Sequence, residues 1–147
     1  MLNPFDPKSV LFAKHAQHVV LIHFPIALYL SGTCFDLCAR ILRKARLADS
    51  AGWNFLAAAA MSLPAAASGL LAWHYALDGQ SLKGLLRLHF LLGWAVLCGV
   101  WTTLWLRRTN NASTAFVSTP VLLWELGVSG LVAATAHIGG FLSGVNM

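Results

Sequence analysis

Charge is scarce in this chain, and negative charge is scarcest. Of 147 residues only 10% are charged, and only five are Asp or Glu. Soluble domains carry about 25% charged residues, so an ordinary solvated surface is excluded. The missing patterns narrow the chemistry as well. The chain has no G-x-S-x-G, no phosphate-binding P-loop, and no carboxylate placed to orient a histidine beside a serine, which leaves nucleophilic hydrolysis without its parts. No C-x-x-C-H occurs, so covalent attachment of a c-type haem has no support. The three cysteines, Cys34, Cys38 and Cys98, lie in apolar stretches or at their inner ends and read as packing groups. No cleavable signal peptide is expected, since Asp6 and Pro7 precede the first apolar stretch and no A-x-A site follows a short apolar core.

What the chain does have is apolar length, with 58% hydrophobic residues. Four stretches approach the roughly 20 residues that cross a bilayer as helix. The expectation is one all-α domain over residues 1–147. It is an integral membrane four-helix bundle, up-down-up-down, with helices at about 9–40, 51–77, 84–107 and 119–143. Asp6 and Pro7 read as the N-cap and first position of helix one. Pro25 should free the carbonyl of Leu21 and kink that helix near His23, and Pro64 lies inside helix two. Small residues at Ala57 and Ala60, Ala65 and Gly69, Ser129 and Ala133, and Gly140 and Gly144 mark places where helices can approach closely.

The formal charge is +5. Arg40, Arg43, Lys44 and Arg46 follow the first stretch, and Arg107 and Arg108 follow the third. These loops hold six of the ten Lys and Arg residues. That bias places loops one and three in the cytoplasm and both termini on the outer side of the cytoplasmic (inner) membrane. The positive charge therefore reads as topology and contact with anionic lipid in the bilayer, with no nucleic acid partner.

The six histidines are His15, His18, His23, His74, His89 and His137. Counted at about 1.5 Å per helical residue, His23, His74, His89 and His137 bring one imidazole per helix to a similar depth near the outer face, with His15 and His18 just above. A single interfacial histidine is unremarkable. Four helices agreeing in depth imply a shared ligand or a proton function, because an ionisable group inside a membrane costs free energy. Haem needs one or two axial histidines and an apolar slot between helices. Phe24, Leu28, Trp73, Phe90, Leu91 and Trp94 offer such a lining. The echo of Ile22-His23-Phe24 in Leu88-His89-Phe90 makes His23 and His89 the first choice of axial pair. His74 and His137 are then hydrogen-bond donors behind that pair, or the competing pair, and His18 is a further candidate contact. A similar echo joins Ser68-Gly69-Leu70-Leu71-Ala72 to Ser129-Gly130-Leu131-Val132-Ala133.

This gives a membrane-embedded protein binding haem b and carrying electrons near the outer face, with a quinone or redox protein as partner. An electron carrier or accessory subunit fits better than a stand-alone enzyme. The alternatives left open are a zinc or copper site using His15, His18 and His23, and a structural subunit of a larger membrane complex or homo-oligomer. Glu125, within two turns of the start of helix four, reads as paired with a basic residue of a neighbouring loop, or else as a proton or quinone contact. Asp36 and Arg40, spaced i and i+4, are expected to pair.

The segment His15-Ala16-Gln17-His18-Val19-Val20-Leu21-Ile22-His23-Phe24-Pro25-Ile26-Ala27-Leu28 resembles the first-helix motif of the small bacterial membrane proteins called the domain of unknown function 2231 family. His89 matches that family's third-helix histidine, and His137-Ile138-Gly139-Gly140 resembles its H-x-G-G segment. Ala16 stands where the family commonly has proline, the family's Asp after the second-helix Gly is not evident, and the tail after Phe141 is short. The resemblance implies a four-helix bundle in a bacterial cytoplasmic membrane and supplies no activity.

Overall fold

The structure, a computed structural model, describes residues 14–76, 79, 81–109 and 116–143, apart from the side chains of 14, 15 and 76. The expectations about Asp6, Pro7, Gly144 and the His15 side chain lie outside them. All regular structure among the described residues is helical. It comprises α1 (Lys14–Leu42), α2 (Ala45–Ala76), α3 (Gly84–Thr109) and α4 (Thr119–Leu142). Each helix is long and apolar enough to cross a membrane, with mean hydropathy of 1.5–1.7 over its best window. The protein is an all-α, four-helix chain as expected. Sequential helices touch, and α4 returns to α1. This closes a ring in which α1 faces α3 across the centre.

The main departure is the first connection. The basic segment after α1 reads as a loop in the sequence, and α2 was expected from about residue 51. In the structure α2 starts at Ala45. The chain turns on Arg43, in the left-handed region at φ 52, and the Lys44 N–H donates to the Ala39 carbonyl at 3.1 Å. Ala45 to Ser50 are mostly tolerable helix formers, so nothing stops the helix from restarting at once. Arg46 therefore belongs to a helix and Arg43 to the corner. At the opposite end α2 closes with Gly79 at φ 60, whose N–H donates to the Trp73 carbonyl at 3.1 Å. A residue with a Cβ would be strained there. α1 runs unbroken through Pro25, and α2 through Pro64.

Packing follows the rule for helices in lipid, where small side chains let backbones approach. α2 presents Ala51, Phe55, Ala58, Ser62 and Ala65 as buried positions, spaced alternately by four and three, and Ala72 follows seven residues on. This is the seam of a left-handed helix pair. The expected close-approach pair Ala57 and Ala60 is off that seam, half-buried and exposed respectively. Tyr29, Phe55, Val100, Leu104, Val128 and Val132 fill the centre. The large side chains mostly face outward: Trp53 is 72% exposed, Ile41 68% and Trp105 61%. In water this would be unstable, whereas lipid covers it. The chain is a multi-pass membrane protein.

Candidate functional site: an apolar cavity with two imidazoles and a buried ion triad

The bundle has two polar regions, one at each end. At the end carrying the histidines, a cavity of about 250 Å³ opens between all four helices. That is close to the lower end of the roughly 300–1,000 Å³ of ordinary ligand pockets. Its lining is apolar apart from a few groups, and includes Ile22, Trp73, Phe90 and Trp94 together with His18 from α1 and His89 from α3.

The seat of each imidazole follows from the helix beside it. His18 Nδ1 lies 2.9 Å from Ser68 Oγ. The Ser68 hydroxyl already gives its proton to the Ala65 carbonyl at 2.7 Å, so its oxygen can only accept from His18. The proton of a neutral His18 is thereby fixed on Nδ1 and the lone pair on Nε2. The ring packs against Gly69, where an added Cβ would lie 2.9 Å from His18 Cε1. The second hairpin repeats this arrangement. His89 packs against Gly139, whose added Cβ would lie 3.0 Å from His89 Cε1. His89 Nδ1 is buried without a hydrogen-bond partner among the described residues.

The structure does not bring His23 to this cavity. His23 is exposed on the outer surface of α1, and its Nδ1 donates to the Val19 carbonyl one turn back at 2.5 Å. His74 and His137 are exposed as well. Their rings meet Tyr75 edge-on at 4.7 Å and Phe141 at 5.0 Å. Of the five expected cofactor contacts, His18 and His89 line the cavity, whereas His23, His74 and His137 do not. The reason is angular. Equal depth along four helices says nothing about azimuth, and His18 and His23 are five residues apart, so they leave the helix well over a quarter-turn apart. The repeat that matters is therefore His18 on Gly69 and His89 on Gly139, and not the paired His-Phe dipeptides. Ser68, Gly69 and Gly139 were missed as site residues. A histidine on one helix opposite a glycine on the next was the available signal.

Among the described residues no group of three or more His, Cys, Asp or Glu could hold a metal ion. Of the proposed zinc or copper set, His18 and His23 face different surroundings, and the His15 side chain is outside the described residues.

At the basic end, three charged side chains meet inside the bundle. One guanidinium nitrogen of Arg107 (α3) donates to Asp36 (α1), and also to Glu125 Oε1 (α4) at 2.8 Å. The guanidinium lies over the Phe55 ring at 4.8 Å from its centroid and reaches the Ala48 carbonyl at 3.4 Å. The side chains of Asp36 and Glu125 are 1% and 0% exposed, and that of Arg107 is 12% exposed. The expected pairing of Asp36 with Arg40 does not form. Arg40 turns instead to Thr119 Oγ1 at 3.1 Å and the Val117 carbonyl at 3.0 Å. Asp36 faces the bundle centre, and the i,i+4 rule describes pairs on an exposed helix face. Glu125 does find a basic partner, Arg107, which lies on α3 rather than in a loop.

Between the two ends the helices are joined by hydroxyls. Thr103 Oγ donates to the Gly99 carbonyl at 2.9 Å and so accepts from Tyr29 at 2.7 Å and Trp124 Nε1 at 3.1 Å. Thr33 and Ser129 meet at 2.9 Å.

No curated protein and no solved structure matches the chain. The sequence profile of a family described as predicted membrane proteins, DUF2231, matches residues 14–145, and the chain belongs to that family.

Proposed function

We propose that the protein holds a b-type haem in the cavity between its helices and passes electrons near the outer face of the cytoplasmic membrane. His18 and His89 would hold it, in place of the expected pair His23 and His89. The observation that carries this reading is the state of His18. Ser68 holds its proton on Nδ1, so Nε2 is the nitrogen that would ligate iron. A hydrogen bond from the far nitrogen is how metal-bound histidines are held and kept basic. The second support is position, since α1 and α3 are the diagonal helices of the ring, and their two imidazoles line one apolar space. The third is Gly69 and Gly139, which give each ring a flat seat. A bound haem would supply one-electron redox chemistry. The chain would supply the two ligands, an apolar surround from Ile22, Phe90 and Trp94, and exclusion of water.

The test is an optical spectrum of protein purified in detergent from haem-replete cells, with a pyridine haemochrome assay. A Soret band that shifts on reduction is expected, at one haem per chain. It should be lost in His18→Ala and His89→Ala and retained in His23→Ala. A colourless wild-type preparation overturns the reading, as does stoichiometric zinc or copper in place of iron.

A further inference from the structure

The ion triad at the basic end lies outside the cavity and is independent of the haem reading. Asp36 and Glu125 meet a single guanidinium nitrogen of Arg107. If both carboxyls were ionised, the site would carry a net negative charge inside the bundle, with almost no water to solvate it. One oxygen of each carboxyl, Asp36 Oδ1 and Glu125 Oε2, is buried with no hydrogen-bond partner among the described residues. Both carboxyls meet the same Arg107 nitrogen, so they sit side by side with too few donors for their four oxygens. Two carboxylates brought side by side on one nitrogen without a further donor repel. With one proton between them they form a hydrogen bond, and the site becomes neutral against Arg107.

Among the described residues, the remaining neighbours put no donor on the two free oxygens. From α1 the other groups are the Tyr29 phenol, bonded to Thr103, and Arg40. Arg40, half-buried and one turn from Asp36, acts on it only across space, because its hydrogen bonds go to Thr119 and Val117. From α2 come the Ala48 carbonyl and the Phe55 ring, while Arg46 and Asp49 are exposed. From α3, Arg108 is exposed. From α4, Glu125 is the ionisable group at this end, and His137 lies twelve residues, about 18 Å, along the helix at the opposite end.

We propose that Asp36 and Glu125, held by Arg107, form a proton-binding site that carries one exchangeable proton between two membrane helices. The proton comes from solvent and returns to it, and no bond to carbon changes.

Infrared spectroscopy of the full chain in lipid nanodiscs at neutral pH tests this. The expected result is a protonated-carboxyl C=O band that shifts when water is replaced by D₂O. Because one proton is shared, either Glu125→Gln or Asp36→Asn should remove the band completely, since the surviving carboxylate pairs alone with Arg107. Asp49→Asn should leave it unchanged. Should the variants fail to fold, the wild-type spectrum still decides. Absence of the band at neutral pH overturns the proposal, because both acids are then ionised. Loss of the band in sodium chloride but not choline chloride also overturns it, because the occupant is then a metal cation.

Discussion

The two ends of the bundle handle polar groups in opposite ways. At the basic end Asp36, Arg107 and Glu125 come from three helices and contact one another directly, and Phe55 and Ala48 of α2 close the fourth side. At the histidine end the two imidazoles are each held within their own hairpin, by Ser68 and Gly69 or by Gly139, and the space between the hairpins stays open. The first arrangement ties helices together. The second keeps two hairpins apart around a shared space. In lipid, apolar side chains gain little from meeting one another rather than lipid, so an open cavity is tolerated where no polar contact spans it. Polar contacts therefore decide which end is closed.

The largest effect should come from breaking the closed end. Arg107→Ala leaves two buried carboxyls without their cation and removes the contact with Phe55. Removing one partner of a buried ion pair costs about 3–5 kcal/mol. Thermal unfolding in detergent should show a loss of that order, whereas His89→Ala, at the open end, should change stability much less. Equal losses in the two variants would erase the distinction between the ends.

Glycines sharpen the same contrast. At Gly32 an added Cβ would meet three atoms of the Phe55 ring at 3.1–3.2 Å. That ring is fully buried and packed edge-on against Tyr29 at 5.0 Å, so it has nowhere to go. Gly32→Ala should cost about 1–3 kcal/mol, the usual penalty of overpacking, with the optical spectrum unchanged. At Gly69 the added Cβ meets the far end of His18 instead. That ring can swing into the cavity at small cost. Gly69→Ala should leave unfolding near wild type and lower haem occupancy. Reversed phenotypes would show that the cavity is not where the proposed haem sits.

How much of this was legible depends on direction along the helix or around it. The four spans are visible because hydrophobic length is a one-dimensional property, and α3 starts at the expected Gly84. The corner at Arg43 and Lys44 was hidden because charge normally marks a loop, and here four basic residues straddle a turn only two residues long. The site was legible in depth but not in azimuth. His89 reaches the cavity and His23 does not, although each follows the same kind of apolar residue and precedes a phenylalanine. The partner of Asp36 was hidden for a related reason. Arg40 is its neighbour in sequence, but Arg107 is its neighbour across the bundle. The signal available was that Asp36 and Glu125 are the two acids inside apolar stretches, and Arg107 ends α3 at a comparable depth.

Ser68→Ala is the next step down in size. It removes the acceptor that holds the His18 proton on Nδ1, and loss of such an outer partner typically lowers metal affinity about 10–100-fold. A haem titration of the apoprotein should show weaker binding with little change in unfolding temperature. An unchanged affinity would mean that His18 is not a ligand.

The smallest expected effect separates the ion triad from the hydroxyl contacts above it. Thr33 accepts from Ser129 across the α1–α4 boundary, because its own proton goes to the Tyr29 carbonyl at 3.2 Å. Thr33→Val keeps the shape and removes the acceptor. Ser129 can then turn its proton to a carbonyl of the preceding turn of its own helix, so little is left unsatisfied. Interhelical hydrogen bonds in membranes average about 0.6 kcal/mol for this reason. Unfolding in detergent should register a loss of that size and no more. A loss comparable to Arg107→Ala would mean that the whole column of polar contacts, and not the charged triad, closes this end of the bundle.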